Sequence, residues 1–367
     1  GHARGDGWRR LEHAWLVASV FVLSLSLGGL FFVLIQHLTG ASWSVVVRRV
    51  AEITAANTAI AALFLAPLVA LVVAGDGALY PWADARNVEV EPVLQAKAAF
   101  LDGRFFAVRV AVYFATWWLL GRWLLRRSLE QGEPGAGDAT AKLQRGAAPA
   151  MIAFAVTTCL AGFDLLMSLS PTWYSTIFGV YFFAGCAVSF FASTVLVLRF
   201  LQARGLLARA PTVEHYHDLG KFLFAFVFFW SYIAFSQFML IWYADLPEET
   251  AWFHQRLHGS WRIASFVLLV GHFALPMAGL LSRHAKRNLG ALTFWCVWLL
   301  VMHALDLFWI VLPGAEPAGA NVLPLDVACL VAACGLWIFA WTRIAAQRPL
   351  VAAGDPRLAE SLAFENV

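Results

Sequence analysis

Charge is scarce in this chain. Only 13% of its 367 residues are Asp, Glu, Lys or Arg, against about 25% in a soluble domain. That shortage excludes a water-soluble globular fold. A net charge of +3 also offers no basic surface for nucleic acid. Cysteine is sparse: Cys159, Cys186, Cys296, Cys329 and Cys334 all fall in apolar segments, without a CxxC pair. No disulfide framework and no zinc or iron–sulfur ligand set follows from such spacing. The ten-residue alternation of a membrane β-barrel is missing. So are an initiator Met and a signal-peptide pattern.

What fills the chain is apolar surface: 61% hydrophobic residues, with 17 Trp and 30 Phe. A helix needs about 20 apolar residues to cross a bilayer. Nine segments qualify, at 14–38, 54–74, 105–125, 147–169, 174–201, 219–243, 261–282, 291–312 and 323–344. They predict an all-α integral membrane protein. Residues 1–146 carry the first three helices, 147–282 a central four-helix bundle, and 283–367 the last two helices and a tail.

Lys and Arg placement orients such a bundle. Loops after the odd-numbered helices, with the tail, hold sixteen, among them Arg48, Arg49, Arg126, Arg127, Arg209, Arg287 and Arg357. The other side holds eight, including Arg4, Arg9 and Arg10. This predicts a cytoplasmic C-terminus and an external Gly1, and with it a further helix preceding the given sequence.

The stretch 214–250, EHYHDLGKFLFAFVFFWSYIAFSQFMLIWYADLPEET, stands out. Its helix carries His217, Asp218, Lys221, Tyr232, Ser236 and Tyr243 within a wedge of roughly 100°. Polar groups in hydrocarbon are costly without a partner, which predicts a stripe facing the bundle interior. Thr157, Asp164 and Ser168 share a face of the fourth helix. His258, Ser265 and His272, seven residues apart, share a face of the seventh, and His303 and Asp306 meet along the eighth. Together these give titratable groups at several depths: Glu52, Asp218 and Lys221 at the cytoplasmic entrance, His272 and His303 near the middle, and Asp306 and Asp164 further out. Tyr232 and His258 complete the candidate set. Carboxylate–His pairs relay protons because His titrates near neutral pH. Asp164, Tyr232 and His272 are also the groups available to a quinone ring, which needs an apolar slot with a few polar contacts. His272 and His303 are of the type that ligates a b-type haem, but a single pair, with Asp306 as another partner for His303, speaks against it. No metal site is expected.

Four stretches carry a resemblance: QHLTGASWSVVVRRVAE at 36–52, SPTWYSTIFGVYFFAG at 170–185, HDLGKFLFAFVFFWSYIAFSQFMLIWYADLPEET at 217–250 and DPRLAESLAFENV at 355–367. The chain resembles the ActF family of membrane subunits of bacterial alternative complex III, a quinol-oxidising respiratory complex. The resemblance implies an NrfD/PsrC-like fold of ten helices, two four-helix bundles plus peripheral helices, in the bacterial cytoplasmic membrane. It implies no redox centre in this chain, with quinone or quinol as a possible ligand. Implied partners are an ActC-like membrane subunit, an ActB-like iron–sulfur subunit, the multihaem cytochrome c subunits ActA and ActE, small membrane anchors and lipids. Haem c and iron–sulfur clusters then belong to those partners. A proton-translocating or structural role is expected. The alternatives are a second quinone-binding subunit, or a stand-alone proton- or ion-coupled transporter with paired discontinuous helices.

Overall fold

The computed structural model describes residues 6–133, 138–207 and 210–366. The charges of Arg4 and Arg209, and the terminal residues Gly1 and Val367, lie outside the described residues. In chain order the helices are α1 (Asp6–Leu38), α2 (Val45–Ala56), α3 (Thr58–Val73), α4 (Ala85–Val90), α5 (Pro92–Lys97), α6 (Gly103–Glu130), α7 (Ala139–Leu165) and α8 (Phe178–Ala203). There follow α9 (Val213–Ala244), α10 (Pro247–Leu257), α11 (Trp261–Leu268), α12 (Leu275–Leu281), α13 (Arg283–Arg287), α14 (Leu289–Val311), α15 (Pro324–Ala345) and α16 (Leu358–Leu362). No strand occurs among the described residues. Eight helical runs are long and apolar enough to span a membrane, so this is an all-α, multi-pass integral membrane protein. The one expected span outside these eight is the third, α6, which runs 28 residues. Arg109, Arg122 and its Trp and Tyr residues lower its apolarity below that of the others.

Everything packs around α1. Its apolar window is 89% buried, and it touches α2, α3, α7, α8, α14 and α15. Small residues allow this approach, as they do where helices pack in lipid. A Cβ at Gly28 would stand 2.3 Å from the Cys186 carbonyl oxygen on α8, and one at Gly29 would stand 3.2 Å from the Ala51 carbonyl oxygen on α2.

Two spans are interrupted. The second breaks at Asn57, whose Nδ2 donates to the Trp337 carbonyl at 3.0 Å. The seventh contains a π-helical turn over Leu269–Ala274 between α11 and α12. In π geometry the Gly271 carbonyl looks five residues ahead for a donor, and Pro276 there has no N–H. Trp298 Nε1 supplies the missing hydrogen bond at 2.7 Å.

The C-terminal tail closes one end of the bundle. Arg48 pairs with Asp355, both fully buried, and Arg48 Nε meets Glu52 at 3.2 Å. Ser361 Oγ donates to the Trp43 carbonyl at 2.7 Å and accepts from Val46 N at 3.2 Å. His215 Nε2 meets the Ser361 carbonyl at 3.0 Å. The tail therefore ties α2, α9 and the α1–α2 turn together.

Burial alone would raise the Asp355 carboxyl. The Arg48 guanidinium and the hydrogen bonds around it outweigh that effect and hold it below its usual range. A depressed carboxyl contributes stability above its unfolded pKa, about 3.9, and loses it as pH falls through the lower folded value. Amides of residues 355–366 should accordingly be protected from hydrogen exchange at pH 7 and released below about pH 4. Asp355→Asn should release them already at pH 7. Unchanged protection on acidification would contradict the clasp.

Candidate functional site

The polar centre of the bundle is built on α14. His303 and Asp306 lie three residues apart and share a face. Tyr181 of α8 donates its hydroxyl to Asp306 Oδ1, and Trp230 Nε1 of α9 donates to Oδ2 at 3.2 Å. The Trp230 ring stacks on His272, centroid to centroid 3.9 Å. His303 Nε2 meets Ser24 Oγ of α1 at 2.9 Å, and Ser24 meets Ser189 of α8 at 3.1 Å. A Cβ at Gly185 would stand 2.9 Å from His303 Cε1, so only glycine leaves that imidazole its place. His303 Nδ1 and both ring nitrogens of His272 are buried without a hydrogen-bond partner. Among the described residues no Lys or Arg pairs with Asp306.

Beside this cluster, between α9, α10, α11 and the π turn, lies a cavity of about 460 Å³. Tyr181 and Trp230, the two donors to Asp306, form part of its wall. Phenylalanine dominates the rest, and polar contacts come from Gln237, Ser265 and Trp309. Gln237 is buried with an unpartnered Oε1, while Trp309 Nε1 donates to Ser265 Oγ at 2.7 Å. An apolar slot with a few polar anchors suits a flat amphipathic ring.

The predicted site residues divide into separate places. His272 and Asp306 come together through Trp230, and His303 stands three residues before Asp306 on α14, with its own hydrogen bond to Ser24. Glu52 is buried at the tail end between Arg48 and Arg49. No hydrogen bond among the described residues carries it towards His303. Asp218 pairs with Lys221 on α9 near the tail, and Lys221 Nζ donates to Asn366 Oδ1 at 2.9 Å.

Three expectations are corrected by geometry. The stripe on α9 is buried only near its start, through His217 and Asp218, whereas Lys221 is exposed, Tyr232 is 57% exposed and Tyr243 84%. Further along, the buried face is Leu223, Val227, Trp230, Ile233, Gln237 and Ile241, and Tyr232 lines the cavity. Both faces of α9 are apolar, so pattern could not separate them. His258 is not on the seventh span. It caps α10, exposed, with Nδ1 against the His254 carbonyl. Asp164 belongs to neither the Asp306 cluster nor the cavity. Arg109 grips it at 2.8 and 2.9 Å, and Tyr113 donates to it at 2.7 Å. Asp164, Tyr232 and His272 therefore share no quinone slot.

Arg109 went unread in the sequence, although an arginine inside the span 105–125 calls for a carboxylate. Tyr181, Trp230 and Gln237 are indistinguishable there from ordinary interface aromatics and amides. No metal-binding group of three or more His, Cys, Asp or Glu occurs among the described residues.

The fold and this cluster define a multi-pass membrane protein with a titratable core. Compared with known proteins, the chain matches no family model and no curated sequence.

Breaking one partner of a buried ion pair typically costs about 3–5 kcal/mol, whereas replacing both with apolar residues is far milder. Arg109→Leu or Asp164→Leu alone should lower stability by about that amount in thermal unfolding of the detergent-purified protein. The double variant should recover much of the loss. Additive losses would show the pair to be independent.

Proposed function

We propose that this chain is a membrane subunit of a quinol:electron-acceptor oxidoreductase complex, in which it handles protons at Asp306 rather than electrons. Two observations support the reading: the resemblance of the 217–250 and 355–367 stretches to ActF, and a deeply buried carboxyl that has hydrogen-bond donors but, among the described residues, no cation. The second observation carries it. The donors favour the carboxylate, while the missing cation and the hydrocarbon favour the acid. A group poised between the two can gain and lose a proton. His303 and His272, one helical turn and one indole away, are the partners in that exchange. The membrane is then the bacterial cytoplasmic membrane. The tail, with Glu52, Asp218 and Lys221, faces the cytoplasm by the Lys/Arg bias. The complex's haem c and iron–sulfur subunits hold the redox centres.

A second reading rests on the cavity itself. Quinone binding there would use Gln237, Ser265 and Trp309 and place the ring beside Tyr181, against the Asp306 cluster. The transporter reading gains the two interrupted spans, Asn57 and the π turn. The π turn reaches this cavity, but no residue from 56–58 lines it, so the breaks do not frame one substrate site.

The test is Asp306→Asn and His303→Leu in the assembled complex. Proton uptake coupled to quinol oxidation should fall about a hundredfold, the scale of a lost acid–base group, with subunit and haem content unchanged. An unaltered proton-to-electron ratio in both variants would overturn the proposal.

A further inference from the structure

The end of the bundle opposite the tail contains a second, chemically different cavity. It measures about 310 Å³ and lies under the 77–87 loop, beside the first turns of α1 and the end of α14. Its wall includes Arg9, His13, Asn87, Ser170 and Arg256, and no Asp or Glu. This is the inverse of the aromatic slot beside Asp306, and no part of the proton reading uses it.

Arg256 is its most unusual member. It is 1% exposed and lies on the Trp252 ring, 3.4 Å from the centroid. Its hydrogen bonds run only to carbonyls: Nε to Trp309 at 3.2 Å, Nη1 to Trp252 at 3.0 Å and Nη2 to Ile310 at 2.8 Å. Two of those carbonyls close the last turn of α14, where the helix dipole favours a cation. Yet among the described residues no carboxylate pairs with Arg256. Burial pulls its pKa well below the usual arginine range, with only the nearby Tyr181 acting in the other direction. A guanidinium has five N–H donors, and three are engaged here.

Among the described residues the other wall groups pair with no carboxylate either; Arg9 and Asn87 have spare donors, and His13, whose Nδ1 donates to a carbonyl, offers Nε2 as a donor only when the ring is protonated. Arg9, at the rim, gives Nη2 to the Gly314 carbonyl at 3.0 Å. His13 is buried, with Nδ1 against the Arg9 carbonyl at 2.8 Å, and its Nε2 has no hydrogen bond among the described residues. The neighbouring acids are occupied elsewhere. Asp326 and Glu316 are engaged by Arg10, and Asp76 accepts from Ala78 N at 3.0 Å and does not line the cavity.

We propose that this cavity binds an oxyanion of the phosphate class, held by Arg256 and Arg9, with His13, Asn87 and Ser170 completing its hydrogen bonds. Arginine forks match phosphate oxygens in geometry and charge. The bound anion supplies the counter-charge that Arg256 lacks. The phosphate group can arrive as the free ion or on a lipid headgroup, and the experiment separates these sources.

The full-length protein, purified in a phosphate-free maltoside detergent, is titrated with inorganic phosphate and, at matched ionic strength, with chloride. Thermal unfolding is followed, and native mass spectrometry records retained phospholipid. Saturable stabilisation by phosphate beyond chloride, weakened about tenfold in Arg9→Gln, supports the site with free anion. Phospholipid retained by the wild type and lost from Arg9→Gln and His13→Gln supports it with lipid phosphate. Arg256→Gln removes the central group but also three hydrogen bonds to backbone carbonyls, two of them at the end of α14, so the Arg9 and His13 variants carry the test. Phosphate and chloride acting alike, with equal lipid retention in every protein, would overturn the proposal. So would phosphate stabilisation unchanged in both Arg9→Gln and His13→Gln.

Discussion

A polar group inside hydrocarbon must find a partner or leave, and the bundle is arranged around the ways this chain meets that demand. Arg109 and Asp164 neutralise one another in a bidentate fork, so that position is spent on structure. Arg48, Arg49, Glu52 and Asp355 do the same collectively, at the tail end, and bring the C-terminal segment back across the first helices. Asp306 is different. It receives a phenol and an indole N–H, and among the described residues no cation pairs with it. The contrast between a paired and an unpaired buried carboxyl is what separates scaffold from candidate mechanism here.

That contrast depends on the central helix and on one irregular one. Because α1 is surrounded on nearly every side, Ser24 can reach both Ser189 and His303 deep in the bundle. Gly28 and Gly29 make this possible by letting α8 and α2 approach its backbone. In the seventh span, Pro276 cannot close the π turn, and Trp298 repairs the exposed carbonyl. The turn carries His272 onto Trp230, and its outer residues open the slot between α9 and α11. Backbone irregularity at that point thus sets both the histidine's position and the shape of the adjoining cavity.

Most of the architecture was legible in the chain. Hydrophobic length located every span, because a bilayer imposes one length on all of them, although the first, second, fourth and sixth begin six to nine residues earlier than expected. The breaks were harder: Asn57 is an unremarkable polar residue, and a π turn has no periodicity of its own in so short a run. The candidate site was half legible. His303 and Asp306 stand out as ionisable residues in an apolar helix, and their spacing puts them together. Tyr232 misled because its helix is apolar all round, so the polar stripe, not burial, fixed the expected orientation. Trp230 and Tyr181, which hold Asp306, were hidden among the many aromatics that composition assigns to packing. Asp164 was visible but its meaning was not, since only contact with Arg109 reveals it as paired.

Infrared difference spectroscopy on the intact complex, reduced against oxidised quinol pool, addresses the central claim most directly. The account predicts a carboxylic-acid carbonyl band that changes on turnover, shifts in deuterated water and disappears in Asp306→Asn, while remaining in Asp164→Asn. A spectrum with no carboxyl change assignable to Asp306, in a complex that turns over normally, would contradict it.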